Sequence, residues 1–255
     1  MLAAVSRYES MFAGGIGPSK WTGRGTVAVE PLAYITRSGE WSSLPCASGT
    51  GKGCRKFERE YLSKPHVYTV ISADGKGATV QAAPTTLSEC YGYQGVGTYS
   101  GASVRRSAIA ASATDFFTDS TPPRLLSGEE SAAPLKALAA SVPKALDSTE
   151  HLGIFAVRLE DQDFYIAQRT FTDIATRGQG ERLAFLIGTL GQGRFHILHR
   201  ADEDQDERVL ETVRLKSGRE FLVTAVSDPE SQFFRVYGIR DGHLTLVYSG
   251  GGSSC

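Results

Sequence analysis

Two stretches decide the fold: residues 153–169, GIFAVRLEDQDFYIAQR, and residues 232–248, QFFRVYGIRDGHLTLVY. Each is a β-branched and aromatic run, a short polar break, and a second such run. That is the pattern of two strands joined by a tight turn. Asp241-Gly242 makes the break explicit in the second, because both residues tolerate positive φ. The same grammar fills the interval. Residues 182–187 turn through Gly191-Gln192-Gly193 into 194–199, and Val209 to Leu215 is followed by Glu220 to Val226. About eight antiparallel strands result, with a turn signal roughly every ten residues. They divide into two groups of four, about 153–199 and 208–248. A sandwich explains the pattern, and so do four-stranded units like propeller blades.

The first half carries a weaker version of the signal. Residues 26–29 and 32–36 are extended, with Pro31 marking an edge or a bulge between them. Residues 67–72 and 78–82 form a hairpin across Asp74-Gly75. Ser6 to Phe12 reads as a short helix stopped by Gly14 and Gly15, and residues 84–101 read as a long Gly- and Tyr-rich loop. Between the halves, residues 107–148 are rich in Ala and Ser. There Leu135, Leu138, Ala139 and Val142 give one apolar helical face, predicting a helix over 132–146 that Pro143 ends or kinks. The expected organisation is a β-rich half over 1–106, an Ala/Ser/Pro-rich connector over 107–150 with one short helix, and an antiparallel meander over 151–255. The fold class is mainly β with a short helical connector.

Composition bounds the function. The chain has 255 residues, 41% apolar and 22% charged, which suffices for a substantial core. The net charge of −1 supplies no basic field, so no nucleic-acid partner is expected. Lys52, Arg55, Lys56, Arg59 and Lys64 interleave with Glu58 and Glu60, which reads as a salt-bridged surface segment. No run approaches the roughly 18 apolar residues of a membrane helix, so no membrane insertion is expected.

Four cysteines stand in loop-like contexts: Cys46, Cys54, Cys90 and Cys255. The flexible Gly-rich segment 47–53 lets Cys46 and Cys54 approach to the roughly 4 Å between Cβ atoms that a disulfide needs. Cys90–Cys255 follows by elimination. Two disulfides place the chain in an oxidising compartment, periplasmic or secreted, with the cytoplasm as the alternative.

No motif for catalysis survives inspection. Ser48 to Gly53 lacks the first Gly and the final Ser/Thr of a phosphate loop. In Gly97-Thr98-Tyr99-Ser100-Gly101 the serine stands one place late for a nucleophile elbow. His196 and His199 differ by an odd offset, which sends them to opposite faces of a strand unless a bulge intervenes. Asp202, Asp204 and Asp206 alternate as calcium ligands do, but Glu207 replaces the turn glycine and Val213 the bidentate glutamate. A solvated connection explains the run better than calcium, and no cofactor is expected. Tyr91, Tyr93 and Tyr99, flanked by glycines, are the candidate binding residues, suited to stacking on a sugar ring or a protein partner.

The expected function is a non-enzymatic binding or structural module of the envelope or extracellular space, engaging protein or polysaccharide. One alternative is a hydrolase whose carboxylates meet only in space, such as Glu58 or Glu89 with Asp161 or Asp163. The other is an accessory subunit of a larger assembly, marked by an exposed apolar patch.

Overall fold

The structure is a computed structural model that describes residues 1–7, 21–36, 38–44, 52–72, 77–84, 86–87, 93–104, 107–119, 121–141, 152–172, 181–202, 204–228 and 231–254. Cys46, Cys90, Cys255, Tyr91 and Glu89 lie outside these residues, and of Cys54 and Tyr93 only the backbone is described.

The first half closes on itself. Strands β1 (Leu2–Arg7), β2 (Trp21–Ile35), β4 (His66–Val70), β5 (Thr79–Ala82), β7 (Tyr93–Val104) and β8 (Ser107–Ala111) pair in the cycle β1-β2-β7-β5-β4-β8 and back to β1. Every pairing is antiparallel, with Val5 beside Val29, Tyr68 beside Val80 and Ala3 beside Ala110. The result is a six-stranded barrel, to which β3 (Trp41–Ser43) and β6 (Thr86–Leu87) add short flaps. Its interior is filled by Val27, Val29, Tyr68, Val70, Val80 and Tyr99, with Ala3, Ala78, Ala82, Ala108 and Ala110 between them. A narrow barrel needs such small side chains. Pro31 does mark a bulge: the register against β1 slips between Leu2 and Ala3, leaving Leu32 unpaired.

Three expectations are corrected here. Ser6 and Arg7 belong to a strand, not a helix, because β1 is held on both sides by β2 and β8. Residues 93–101 are strand rather than loop, since the glycines serve packing: a Cβ at Gly97 would lie 2.7 Å from Val80 Cγ1, and one at Gly101 would lie 2.4 Å from the Ala78 Cβ. The Ala-rich start of the connector, Ser107–Ala111, is the strand that closes the barrel.

The second half is two meanders, as its turn rhythm implies. β11 (Leu152–Leu159), β12 (Gln162–Thr172), β13 (Glu181–Gly191) and β14 (Arg194–Arg200) form one sheet. β15 (Asp206–Leu215), β16 (Glu220–Ser227), β17 (Ser231–Arg240) and β18 (His243–Ser254) form the other. The hairpins turn through two-residue loops with left-handed φ at Gln192-Gly193 (51° and 70°) and Asp241-Gly242 (51° and 75°). That geometry matches the strand twist. The connector lends each sheet one short strand: β9 (Phe117–Thr118) pairs with β15, and β10 (Arg124–Leu125) with β11.

The layers stack. Val157, Leu159, Phe164, Ile166, Phe185 and Ile187 of the first sheet pack against Leu222 and Tyr237 of the second. The other face of the second sheet, with Phe221, Val223, Ala225, Phe234 and Val236, packs against Leu2, Leu32, Ile109 and Ala111 on the barrel wall. Hence β16 is buried on both faces, and its sequence EFLVTAVS is nearly continuous in apolar residues.

Two helical segments stand among the described residues. α1 (Lys52–Phe57) continues into a π-helical turn, Glu58–Leu62, and α2 (Gly128–Ser141) lays Leu138 on Ala167 and Leu186 of the first sheet. α2 begins four residues earlier than the apolar spacing suggests, because Ser127 and Glu130 form a reciprocal cap. The Ser127 N–H donates to Glu130 Oε2 (3.1 Å), and the Glu130 N–H donates to Ser127 Oγ (3.4 Å).

Candidate functional site

The space between the two sheets holds one ionised centre. Glu207 on β15 is fully buried. Alternation along the strands turns His199 of β14, Thr224 of β16, and Arg235 and Tyr237 of β17 toward it. Thr224 Oγ1 donates to Glu207 Oε1 at 2.7 Å and Tyr237 Oη donates to the same oxygen at 2.8 Å. On Oε2, Arg235 Nη1 donates at 2.7 Å and His199 Nε2 at 2.7 Å. Arg235 Nη2 also donates to Gln205 Oε1 at 2.8 Å. Burial pushes the Glu207 carboxyl up, but the His199 contact and the two hydroxyls outweigh it and leave the carboxyl below its usual range. Burial, and then the Glu207 charge, push the Tyr237 phenol up.

Each Glu207 oxygen thus accepts two hydrogen bonds, which uses the acceptor capacity of a carboxylate. No lone pair remains for a metal or a reacting group. The centre is a fastening: it ties β14, the last strand of the first sheet, to three strands of the second. Sequence reading passed over Glu207 because it sits in an acidic run. The available signal was alternation, since residues 207 and 209 share a face and Val209 packs in the intersheet core.

The neighbouring acids disperse rather than converge. Asp202 is exposed with its carboxylate 4.0 Å from Arg235, and Asp204 is exposed in a turn. Asp206 Oδ1 accepts the Leu183 N–H at 2.6 Å. Among the described residues, no three His, Cys, Asp or Glu side chains gather as metal ligands. The His pair behaves differently from a regular strand. A bulge leaves Leu198 unpaired, so His196 and His199 share a face after all. His199 is drawn inward, its ring 5.2 Å from that of Tyr237, while His196 stays exposed.

Tyr99 is 1% exposed inside the barrel, and burial pushes its hydroxyl up. Its ring is core and not a docking surface. Asp161 and Asp163 both flank the exposed Arg158, at 3.8 and 3.7 Å. Glu58 lies in the π-helical turn near the barrel's apolar cluster of Leu44 and Leu62. A surface cleft of about 300 Å³ lies between the Glu160-Asp161 turn and the 217–219 turn. Its charged groups fasten turn to turn. Arg214 Nε lies 3.5 Å from Glu220 Oε1, the Glu220 carboxylate accepts the Glu160 N–H, and Arg219 Nη1 donates to the Gly39 carbonyl at 3.1 Å.

The open feature is the edge of β14, RFHILHR. Five of its seven residues are exposed, with Ile197 48% and Leu198 51% accessible. Among the described residues no strand lies beyond it. The other long edge, β18, is partly covered by the barrel: Tyr248 Oη donates to the Leu32 carbonyl at 2.9 Å, and a Cβ at Gly251 would lie 2.8 Å from the Leu32 oxygen. β14 is also held rigidly. His199 anchors it to Glu207, and Arg200 Nη2 donates to the Ser141 carbonyl at the end of α2 at 3.0 Å. Gly188 on β13 lets it approach, since a Cβ there would meet the His196 oxygen at 2.4 Å.

No family model matches the chain, and no curated protein or solved structure matches it either. Among the described residues no helix is long and apolar enough to cross a membrane.

Proposed function

We propose that the protein is a non-enzymatic binding module that captures an extended polypeptide by strand addition along β14. The observation that carries the reading is a seven-residue edge strand with two exposed aliphatic side chains, fastened from behind by a saturated ion centre. An edge strand offers a row of unpaired N–H and C=O groups, and such rows recruit another strand. The Ala201 N–H bonds inward to Phe185, so alternation turns the Arg200 backbone outward. A pre-organised edge loses little conformational freedom on binding. A protein partner is preferred to a polysaccharide because Tyr99 leaves the aromatic set that would have stacked on sugar.

The setting we propose is the periplasm or the extracellular space, supported by the short Gly-rich spacing between Cys46 and Cys54, although Cys54 itself stands in α1 and not in a loop. Non-reducing mass mapping should find those two joined; free thiols at both positions would remove that support. The binding reading is tested by selecting peptides from a random display library and mapping them by amide chemical shifts. Perturbations should centre on Arg194–Arg200 and vanish in Leu198→Pro. Binders that perturb the barrel or the 160/217 cleft instead would sink strand addition.

A further inference from the structure

Resting on the strand-addition reading, we infer that the partner is an acidic segment, apolar at its centre and carrying carboxylates toward its ends, and not a second copy of this chain. β14 contains Arg194, His196, His199 and Arg200 and no acid, although the whole chain has a net charge of −1. The two arginines bracket the exposed pair Ile197 and Leu198, and both are themselves exposed.

Pairing of β14 with its own copy is opposed by this arrangement. Antiparallel pairing centred on Ile197 gathers Arg194 and Arg200 of both copies along one ladder that holds no acid, and like charges gathered at short range are destabilising. The bulge at Leu198 further distorts the ladder a second copy would have to match. An incoming strand with Asp or Glu opposite the arginines meets two favourable cross-strand pairs instead, and its central aliphatic residues cover Ile197 and Leu198. The bulge puts Arg194 and Arg200 on opposite faces: their β13 partners are Gly191 and Leu186, an odd number of residues apart. The acids are therefore wanted on both faces of the incoming strand. Of the acids near β14 among the described residues, Glu207 is already satisfied by its four donors, and Asp202 and Asp204 are exposed in the connection to β15. Those two lie beyond the Arg200 end, so the preference is carried most cleanly by Arg194.

Three acetylated and amidated peptides test the inference. All share the centre Val-Thr-Val-Thr-Val and are flanked at each end by a pair of Glu, Ser or Lys residues, so that each end offers one such side chain on either face. Binding is read by amide shifts of Arg194–Arg200 at low salt. The Glu-flanked peptide should bind about fivefold tighter than the Ser-flanked one, and the Lys-flanked one should bind weakest. Added salt should close the gap. Arg194→Glu, a change at an exposed side chain, should reverse the order while leaving the far-UV spectrum unchanged. Equal binding by all three peptides would overturn the acidic preference and leave strand addition standing. Binding by none would overturn both. Concentration-dependent dimerisation that protects the β14 amides from exchange would identify a second copy as the occupant and likewise overturn the inference.

Discussion

The barrel and the sandwich solve the burial of polar groups in opposite ways. In the sandwich, Glu207 is buried with four donors aimed at it. In and around the barrel, the Tyr68 hydroxyl, His66 Nε2, Trp41 Nε1 and Glu30 Oε1 are buried without a hydrogen-bond partner among the described residues, against Gln168 Oε1 in the sandwich. Glu30 and Glu207, one buried glutamate from each region, make the contrast quantitative. Burial alone pushes the Glu30 carboxyl up to about 7, whereas the partners of Glu207 hold it low. The difference teaches that two sheets facing each other can align alternate residues from separate strands on one point. A closed barrel of narrow bore can only select side chains by size.

The largest expected effect breaks the layer the two regions share. Val223 is buried in the cluster joining the second sheet to the barrel. Val223→Asp should cost several kcal/mol, enough to abolish folding at 37 °C, read by circular dichroism. Next comes the centre of the sandwich. Glu207→Ala should lower stability by about 3–5 kcal/mol in urea, because Arg235 and His199 lose a buried counter-charge. A loss below about 1 kcal/mol would mean the centre opens to water.

The barrel side is sharpened by pH. A carboxyl whose folded pKa is raised contributes stability that is fully present below its unfolded value near 4.5 and lost as pH rises through about 7. Glu207, with its pKa lowered, contributes stability that is lost as pH falls below that same ordinary value. Glu30→Gln should therefore flatten the stability profile between pH 5 and 8 and gain up to about 3 kcal/mol at pH 8. An unchanged slope would place the Glu30 charge in water. The smallest expected effect tests bore by size. Gly97→Ala should cost about 1–3 kcal/mol from overpacking against Val80 and Val29, with β14 binding unaffected.

What could be read in the sequence follows the same divide. The meanders were legible because their strands alternate and their turns carry Asp-Gly and Gln-Gly at left-handed φ. The grouping into 153–199 and 208–248 is the division into two sheets, and these face each other as a sandwich. The barrel was not legible. Its bore demands Gly97, Gly101, Ala108 and Ala110, and such residues look like loop or connector when strand propensity is the guide. The Tyr-rich segment misled for the same reason: Tyr99 alternates with glycines because it fills the bore that they keep narrow. The edge at β14 was visible as a strand, but that it ends its sheet is a fact of topology. Glu207 was hidden because charge runs are ordinarily solvated, and only its cross-strand partners show that it is not.

The hydrogen bond from Tyr248 to the Leu32 carbonyl joins residues 216 positions apart. During synthesis β2 therefore waits for the 216 residues from Leu32 to Tyr248 before that contact on its outer face can form. Leu32 and Ile109 stay uncovered on the ribosome until the strands of the second sheet arrive, so a pause before those strands are made would lengthen the time this surface is exposed to chaperones or to its own kind.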